Sequence, residues 1–229
     1  MEGLNTIVEG SIGVGKTTAL VNMEKELNLF WKRKIACTIP EPVSLWENFF
    51  GMNMLKETYL KPKEYGFRFQ TLALSTMAEN FLLPQQEEIK IYERSPKTST
   101  AVFGRKFEVD NVISSNEMNI LKNLECTLLK NKDMNKADIY LYLKADPAIV
   151  YNRINKRSRD GEEKISLELI YEMDTIYDEY MKEVTEEVFV IDAMRDPNEV
   201  AKQCVSIINE QYMKKKASNA SSVYLTPEK

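Results

Sequence analysis

Five short apolar runs, Leu4 to Val8, Lys34 to Ile39, Glu88 to Tyr92, Asp138 to Leu143 and Val188 to Ile191, are separated by longer stretches in which apolar residues recur every three or four positions. Short continuous runs rich in Ile, Val and Tyr suit strands buried on both faces, and three-to-four spacing suits amphipathic helices. The spacing predicts helices over 16–33, 43–60, 64–83, 97–108, 115–131, 147–158, 167–185 and 197–213. Strands alternating with helices predict an α/β fold: a five-stranded parallel sheet with helices on both faces. In such sheets ligands gather beyond the carboxyl ends of the strands, so the residues following each run are the first candidates for chemistry.

The chain has 229 residues and no internal repeat, and its composition shifts only near Lys214. One domain over 1–213 is expected, with a disordered tail over 214–229, where Lys214-Lys215-Lys216 lead into a Ser, Ala and Asn stretch of low apolar content. A net charge of −4 supplies no overall basic field, so neither nucleic acid nor membrane is expected as a partner. The absence of histidine removes imidazole bases, Ser-His and Cys-His nucleophile pairs and imidazole-bound zinc. Proton transfer falls to a carboxylate, Lys, Tyr or Cys. Three scattered cysteines, Cys37, Cys126 and Cys204, suggest a reducing compartment. With no long apolar run and no charged and apolar leader before Leu4, a cytoplasmic chain with a complete front end is expected.

Directly after the first run stands Gly10-Ser11-Ile12-Gly13-Val14-Gly15-Lys16-Thr17, which fits the phosphate-binding pattern G-x-x-x-x-G-K-[ST]. Its glycines let backbone N–H groups turn onto phosphate oxygens, and the helix opening near Lys16 adds its positive end. Lys16 is placed to reach the outer phosphates and Thr17 to ligate Mg²⁺. A nucleoside triphosphate site follows. Asn135-Lys136-Ala137-Asp138 matches a guanine-recognition motif, but it precedes its strand and no D-x-x-G motif accompanies it, so a polar turn is the better reading.

The second and third strands end in Glu41-Pro42-Val43 and Glu93-Arg94-Ser95, two acids converging on the space before the phosphate loop. Without histidine, a carboxylate is the natural acceptor for a hydroxyl proton, and a second acid beside an Arg can organise metal and phosphate charge. After the fourth strand, Arg153 and Arg157 lie one helical turn apart and Arg159 follows, ahead of Asp160-Gly161-Glu162-Glu163. Clustered guanidiniums beside a Gly-containing loop suit an arginine-rich lid over a triphosphate.

Taken in order, the phosphate loop, Glu41-Pro42-Val43 with Trp46, Phe67-Arg68-Phe69-Gln70-Thr71, Glu93-Arg94-Ser95, the three arginines with Glu162, and Val190-Ile191-Asp192-Ala193 resemble the deoxyribonucleoside kinase family over about residues 4–212. That family holds deoxycytidine, deoxyguanosine and mitochondrial thymidine kinases and the insect multisubstrate enzyme. The resemblance implies a P-loop kinase fold and Mg²⁺-dependent transfer of the ATP γ-phosphoryl to a deoxynucleoside 5′-hydroxyl. It implies Glu41 as the base, Arg94 beside the hydroxyl and phosphate, and Glu93 with Thr17 at the metal. Gln70 would hydrogen-bond the nucleobase, with Trp46, Phe69 and Phe103 around the ring and Tyr59 with Glu162 on the sugar 3′-hydroxyl. Thr18, Asp192 and Ala193 would join the donor side.

Met77 and Ser99 stand where family members strict for deoxycytidine or purine deoxynucleosides carry Arg and Asp, which implies a thymidine or pyrimidine preference, or a broad one. A homodimer, and feedback inhibition by a deoxynucleoside triphosphate, are implied by the same resemblance. Two rivals remain: a thymidylate-type nucleoside monophosphate kinase, and a non-catalytic P-loop module that binds ATP.

Overall fold

The computed structural model of the chain describes residues 3–130 and 136–223. Among them, β1 (Leu4–Glu9), β2 (Ala36–Ile39), β3 (Ile89–Glu93), β4 (Ile139–Lys144) and β5 (Glu187–Asp192) form one sheet in the order β2-β3-β1-β4-β5, parallel throughout. The expected strands are all present. Alternation along β1 sends Leu4 and Val8 to one face and Ile7 to the other. The first face packs on α1 (Lys16–Phe30), α7 (Pro147–Arg157) and α9 (Pro197–Val223), through Leu20, Met23, Val150, Cys204 and Ile208. The second packs on α4 (Pro62–Leu82) and α8 (Leu167–Glu183), through Phe81, Met173, Tyr177 and Tyr180. No described helix is long and apolar enough to cross a membrane.

Three expectations are corrected. The helix predicted over 43–60 is two, α2 (Val43–Glu47) and α3 (Met54–Leu60). A tight turn separates them, in which Gly51 has φ +85 and donates its N–H to Asn48 Oδ1, while Asn53 caps α3 by accepting from Lys56 N–H. The helix predicted over 97–108 opens as a π-helical turn, Ser99–Gly104, before α5 (Arg105–Val109). A single 3₁₀ turn, Glu162–Lys164, follows the arginines. Finally, α9 continues past the expected end at 213 to Val223. The basic run that suggested a tail is tied down: Lys215 Nζ donates to Gly3 O at 2.8 Å and to Asp138 Oδ1 at 2.7 Å, and Lys214 pairs with Glu210 one turn back. The rest of the expected tail, 224–229, lies outside the described residues.

The helix predicted over 115–131 is α6 (Ser115–Leu128), begun by a reciprocal Ser114–Glu117 capping box worth about 1 kcal/mol; residue 131 lies outside the described residues. Asn135 of the guanine-like motif does too. Its Asp138 accepts from Asn5 N–H at 2.8 Å, at the amino edge of the sheet, away from the phosphate loop.

Candidate active site

The carboxyl ends of β1, β2 and β3 bring the phosphate loop, Glu41 and Glu93-Arg94 to one crevice, with the loops after β4 and β5 closing its far side. Gly10 has φ +145, and a Cβ there would stand 2.5 Å from Leu143 O, so the close pass of the loop under β4 requires glycine. Lys16 folds back, donating from Nζ to Gly10 O at 2.9 Å and Ser11 O at 3.0 Å. Burial, and then the nearby Arg94, push its ammonium down to about 7.

Arg94 sits at the centre of the crevice, 6% exposed. Its guanidinium donates to Tyr177 OH at 2.8 Å, to Glu41 Oε2 at 2.5 Å and to Gly10 O at 3.3 Å, and it lies 5.1 Å from the Phe103 ring centre. Burial penalises its charge, but the neighbouring Glu41, Tyr177 and Glu9 outweigh that and hold it well above its ordinary range. Beside it, Thr17 donates its hydroxyl to both Glu93 oxygens, at 2.9 and 3.1 Å. Burial, then the Glu41 charge, raise the Glu93 carboxyl. Two adjoining hard oxygen donors, one of them a carboxylate, fit Mg²⁺, which commonly takes one or two protein carboxylates and completes its shell with phosphate and water.

Two cavities meet at Gly13, Lys16 and Arg159. The first, about 270 Å³, is lined by every residue expected to bind the acceptor, from Glu41 and Trp46 to Glu162. Trp46 and Phe69 pack edge to face at 5.4 Å, with the indole N–H given to Thr76 at 3.0 Å. Gln70 is 2% exposed, and among the described residues its Oε1 has no hydrogen-bond partner. At one end of the cavity Ser99 Oγ lies 4.0 Å from Met77 Sδ, a soft, uncharged contact. Tyr59 neighbours Glu162: burial, then that carboxylate, push its phenol up to about 12.

The second cavity, about 460 Å³, is lined by Gly13 to Thr18, the three arginines and Ala193. Gly10, Ser11, Ile12 and Asp192 do not line it; Ile12 faces the first cavity. Asp192 instead orders the turn after β5, accepting from Met194 N–H at 3.0 Å and Arg195 Nε at 3.3 Å.

The arginines are not equivalent. Arg153 donates to Val14 O at 3.0 Å and Ala193 O at 2.9 Å, joining the phosphate loop to the turn after β5. Arg157 holds Glu162 with two hydrogen bonds, and Arg159 lies between Glu162, at 3.8 Å, and Glu47 of α2, at 3.2 Å. Gly161, which stands where an acid is common in the family resembled, has φ +91, and a Cβ there would lie 3.0 Å from Lys56 Cα. A larger residue would push the turn carrying Glu162 off α3.

Sequence reasoning missed Tyr177 and Glu9. Tyr177 lies 83 positions from the arginine it meets and reads as one more apolar helix position. Glu9 did carry a signal, an acid at the end of a buried strand directly before the phosphate loop.

The parallel sheet flanked by helices, its order and the phosphate loop after β1 define the P-loop kinase fold. The family model for deoxynucleoside kinases matches residues 6–214. The chain belongs to that family. It is 30% identical over 182 residues to the human protein named thymidine kinase 2, mitochondrial, covering 76% of this chain and 63% of that one. It thus spans less than two thirds of that relative. It is 28% identical over 199 residues to deoxyadenosine kinase of Dictyostelium discoideum (83% and 72%), and 24% over 216 residues to thymidine kinase of Ictalurid herpesvirus 1 (94% and 90%).

Proposed function

We propose that the protein transfers the γ-phosphoryl of ATP to the 5′-hydroxyl of a deoxyribonucleoside. One observation carries the reading: an aromatic-lined cavity holds a buried amide, Gln70, whose oxygen has no partner among the described residues, and opens past the Glu41–Arg94 pair onto the phosphate loop. A nucleobase edge supplies the donor that Gln70 Oε1 lacks. A hydroxyl placed beside Glu41 meets a carboxylate able to take its proton, and Arg94 can pass from Glu41 to the phosphoryl oxygens as that proton arrives. Lys16 releases two carbonyls to reach the outer phosphates, and Arg157 and Arg159 turn from Glu162 toward them as the sugar hydroxyl takes Glu162. Catalysis in this arrangement is positioning and charge. Thr17 and Glu93 would hold Mg²⁺, whose charge neutralises the phosphates when bound. A monophosphate kinase would need further cations beside Glu41 for the acceptor's own phosphate; a passive ATP module would need no Glu41.

The neutral Met77–Ser99 end favours a pyrimidine such as thymidine, with room for wider acceptance. The relatives' names divide between thymidine and deoxyadenosine, so they leave the base open. A deoxynucleoside triphosphate with its base in the first cavity could reach the phosphate loop through the shared Gly13 and Lys16, which supports feedback inhibition. Val109 and Ile120, exposed on α5 and α6, support a homodimer. The unpaired cysteines Cys37, Cys126 and Cys204 suit a cytoplasmic setting. Steady-state kinetics over the four natural deoxynucleosides tests the preference: thymidine should match or exceed the purines in kcat/KM, and a purine value tenfold above thymidine would overturn it.

A further inference from the structure

The proposed transfer makes no use of Glu9, yet Glu9 is a fully buried carboxyl beside the reacting groups. It closes β1 on the same face as Ile7, against the layer that holds Tyr140, Tyr142, Tyr177 and Tyr180. Its Oε1 accepts from Ser95 N–H at 3.0 Å and from Thr98 Oγ1 at 2.5 Å, while Oε2 has no partner among the described residues. Burial pushes the carboxyl up to about 7 despite the pull of Thr98 and Arg94. Burying such a group costs stability compared with an apolar residue of its size, so packing does not explain it.

Its two donors belong to the segment that aims Arg94. Arg94 has φ +61, a left-handed conformation that side-chain-bearing residues rarely adopt. Such a backbone persists when its surroundings over-determine it. Here Val8 O accepts Arg94 N–H at 2.9 Å, and Glu9 Oε1 accepts the next N–H and the hydroxyl of the turn beyond. Successive residues of β1 thus hold the chain on either side of the Arg94 Cα. From that backbone the guanidinium reaches Tyr177, Gly10 O and Glu41 together.

We propose that Glu9 is a positioning residue: by holding Ser95 N–H and Thr98 hydroxyl it fixes the left-handed turn at Arg94, and so keeps the guanidinium aligned with Glu41 and the phosphate loop. This rests on the phosphotransfer reading for its kinetic consequence, but its structural consequence stands apart. The chemistry needed at position 9 is an acceptor oxygen at the right reach, which glutamine also supplies.

The test is a double-mutant cycle on the full chain, using thymidine or whichever deoxynucleoside the wild type phosphorylates best. Glu9→Leu should lower kcat about 100-fold, the scale of an ångström-level misplacement, with KM for ATP within about threefold of wild type. Glu9→Gln should restore most of the activity. In an Arg94→Met background, Glu9→Leu should cost less than about threefold more, because its effect passes through Arg94. Glu9→Asp, too short to reach both donors, should fall between Leu and Gln and carries the same comparison if the Leu variant does not fold. Equal loss in the Arg94→Met background, or a Gln variant as impaired as the Leu or Asp one, would overturn the proposal. Amide hydrogen exchange over 94–98 reads the same claim without turnover: exchange should quicken in the Leu or Asp variant and stay slow in Gln, and unchanged exchange in all of them would sink the proposal. A wild-type chain that phosphorylates no deoxynucleoside would refute the activity alone, and the exchange result would still decide the role of Glu9.

Discussion

Replacing Glu41 by Gln separates proton acceptance from everything else this side chain does. Glu41 accepts from Arg94 at 2.5 Å, with both side chains nearly enclosed, 10% and 7% exposed. Gln keeps an oxygen for that contact, and Arg94 retains Tyr177 OH and Gly10 O, so the guanidinium is not left bare. Exchanging a charge-assisted hydrogen bond for a neutral one costs about 1 kcal/mol, which for a chain of this size lowers Tm by roughly 2–4 °C. Ala at the same position would strand a buried charge at about 3–5 kcal/mol and confound folding with catalysis. Loss of the base should reduce kcat by about 10² to 10⁴, or roughly 3–5 kcal/mol in the barrier. Glu41 does not line the donor cavity, so ATP affinity should stay within about twofold. Steady-state kinetics, ATP titration and thermal unfolding on one preparation measure all three. A Glu41→Gln enzyme with kcat within threefold of wild type would refute the assignment.

Arg153→Met should raise KM for ATP about tenfold and lower Tm, because the carbonyls of Val14 and Ala193 each lose a charged donor worth about 1–3 kcal/mol; an unchanged KM would mean the clamp does not shape the phosphate loop. Gly161→Ala, at φ +91 and against Lys56 Cα, should cost about 1–2 kcal/mol and raise the nucleoside KM more than the ATP KM, read in the same kinetics; equal effects would separate this turn from sugar binding. Because the folded Glu9 carboxyl lies near 7 against an ordinary 4.5, the folded state binds its proton more tightly, and stability falls as pH rises from 4.5 through 7. That loss is up to about 3 kcal/mol and should be missing from Glu9→Gln, so thermal unfolding of the two proteins between pH 4.5 and 8 should converge at the acid end.

The sheet was legible in the sequence because its central strands, β1, β3 and β4, are almost wholly buried and every strand falls in a short run rich in Ile, Val or Tyr between longer helical patterns. Breaks inside helices were not. A turn such as Asn48 to Asn53 keeps the apolar spacing of the helices it divides, and only Gly51 between capping asparagines marks it. The last helix was cut short because Ser, Ala and Asn carry no apolar signal, whereas Lys215 is anchored by Gly3 O and Asp138, distant in the chain. Within the crevice, residues joined to a strand end by adjacency, such as Lys16, Glu41 and Arg94, were readable, and so were pocket residues on a familiar ordered pattern. What the arginines touch was not, because one helical turn of spacing leaves open whether a guanidinium meets phosphate, as the lid reading expects, or backbone carbonyl, as Arg153 does.

Phosphorus NMR of the product is the most direct measurement. With ATP, Mg²⁺ and thymidine, a thymidine 5′-monophosphate resonance should grow in step with ADP, while thymidine monophosphate offered as acceptor should yield no diphosphate. ATP that binds without transfer to any deoxynucleoside, or a monophosphate converted to diphosphate in preference to the nucleoside, would contradict the proposed reaction.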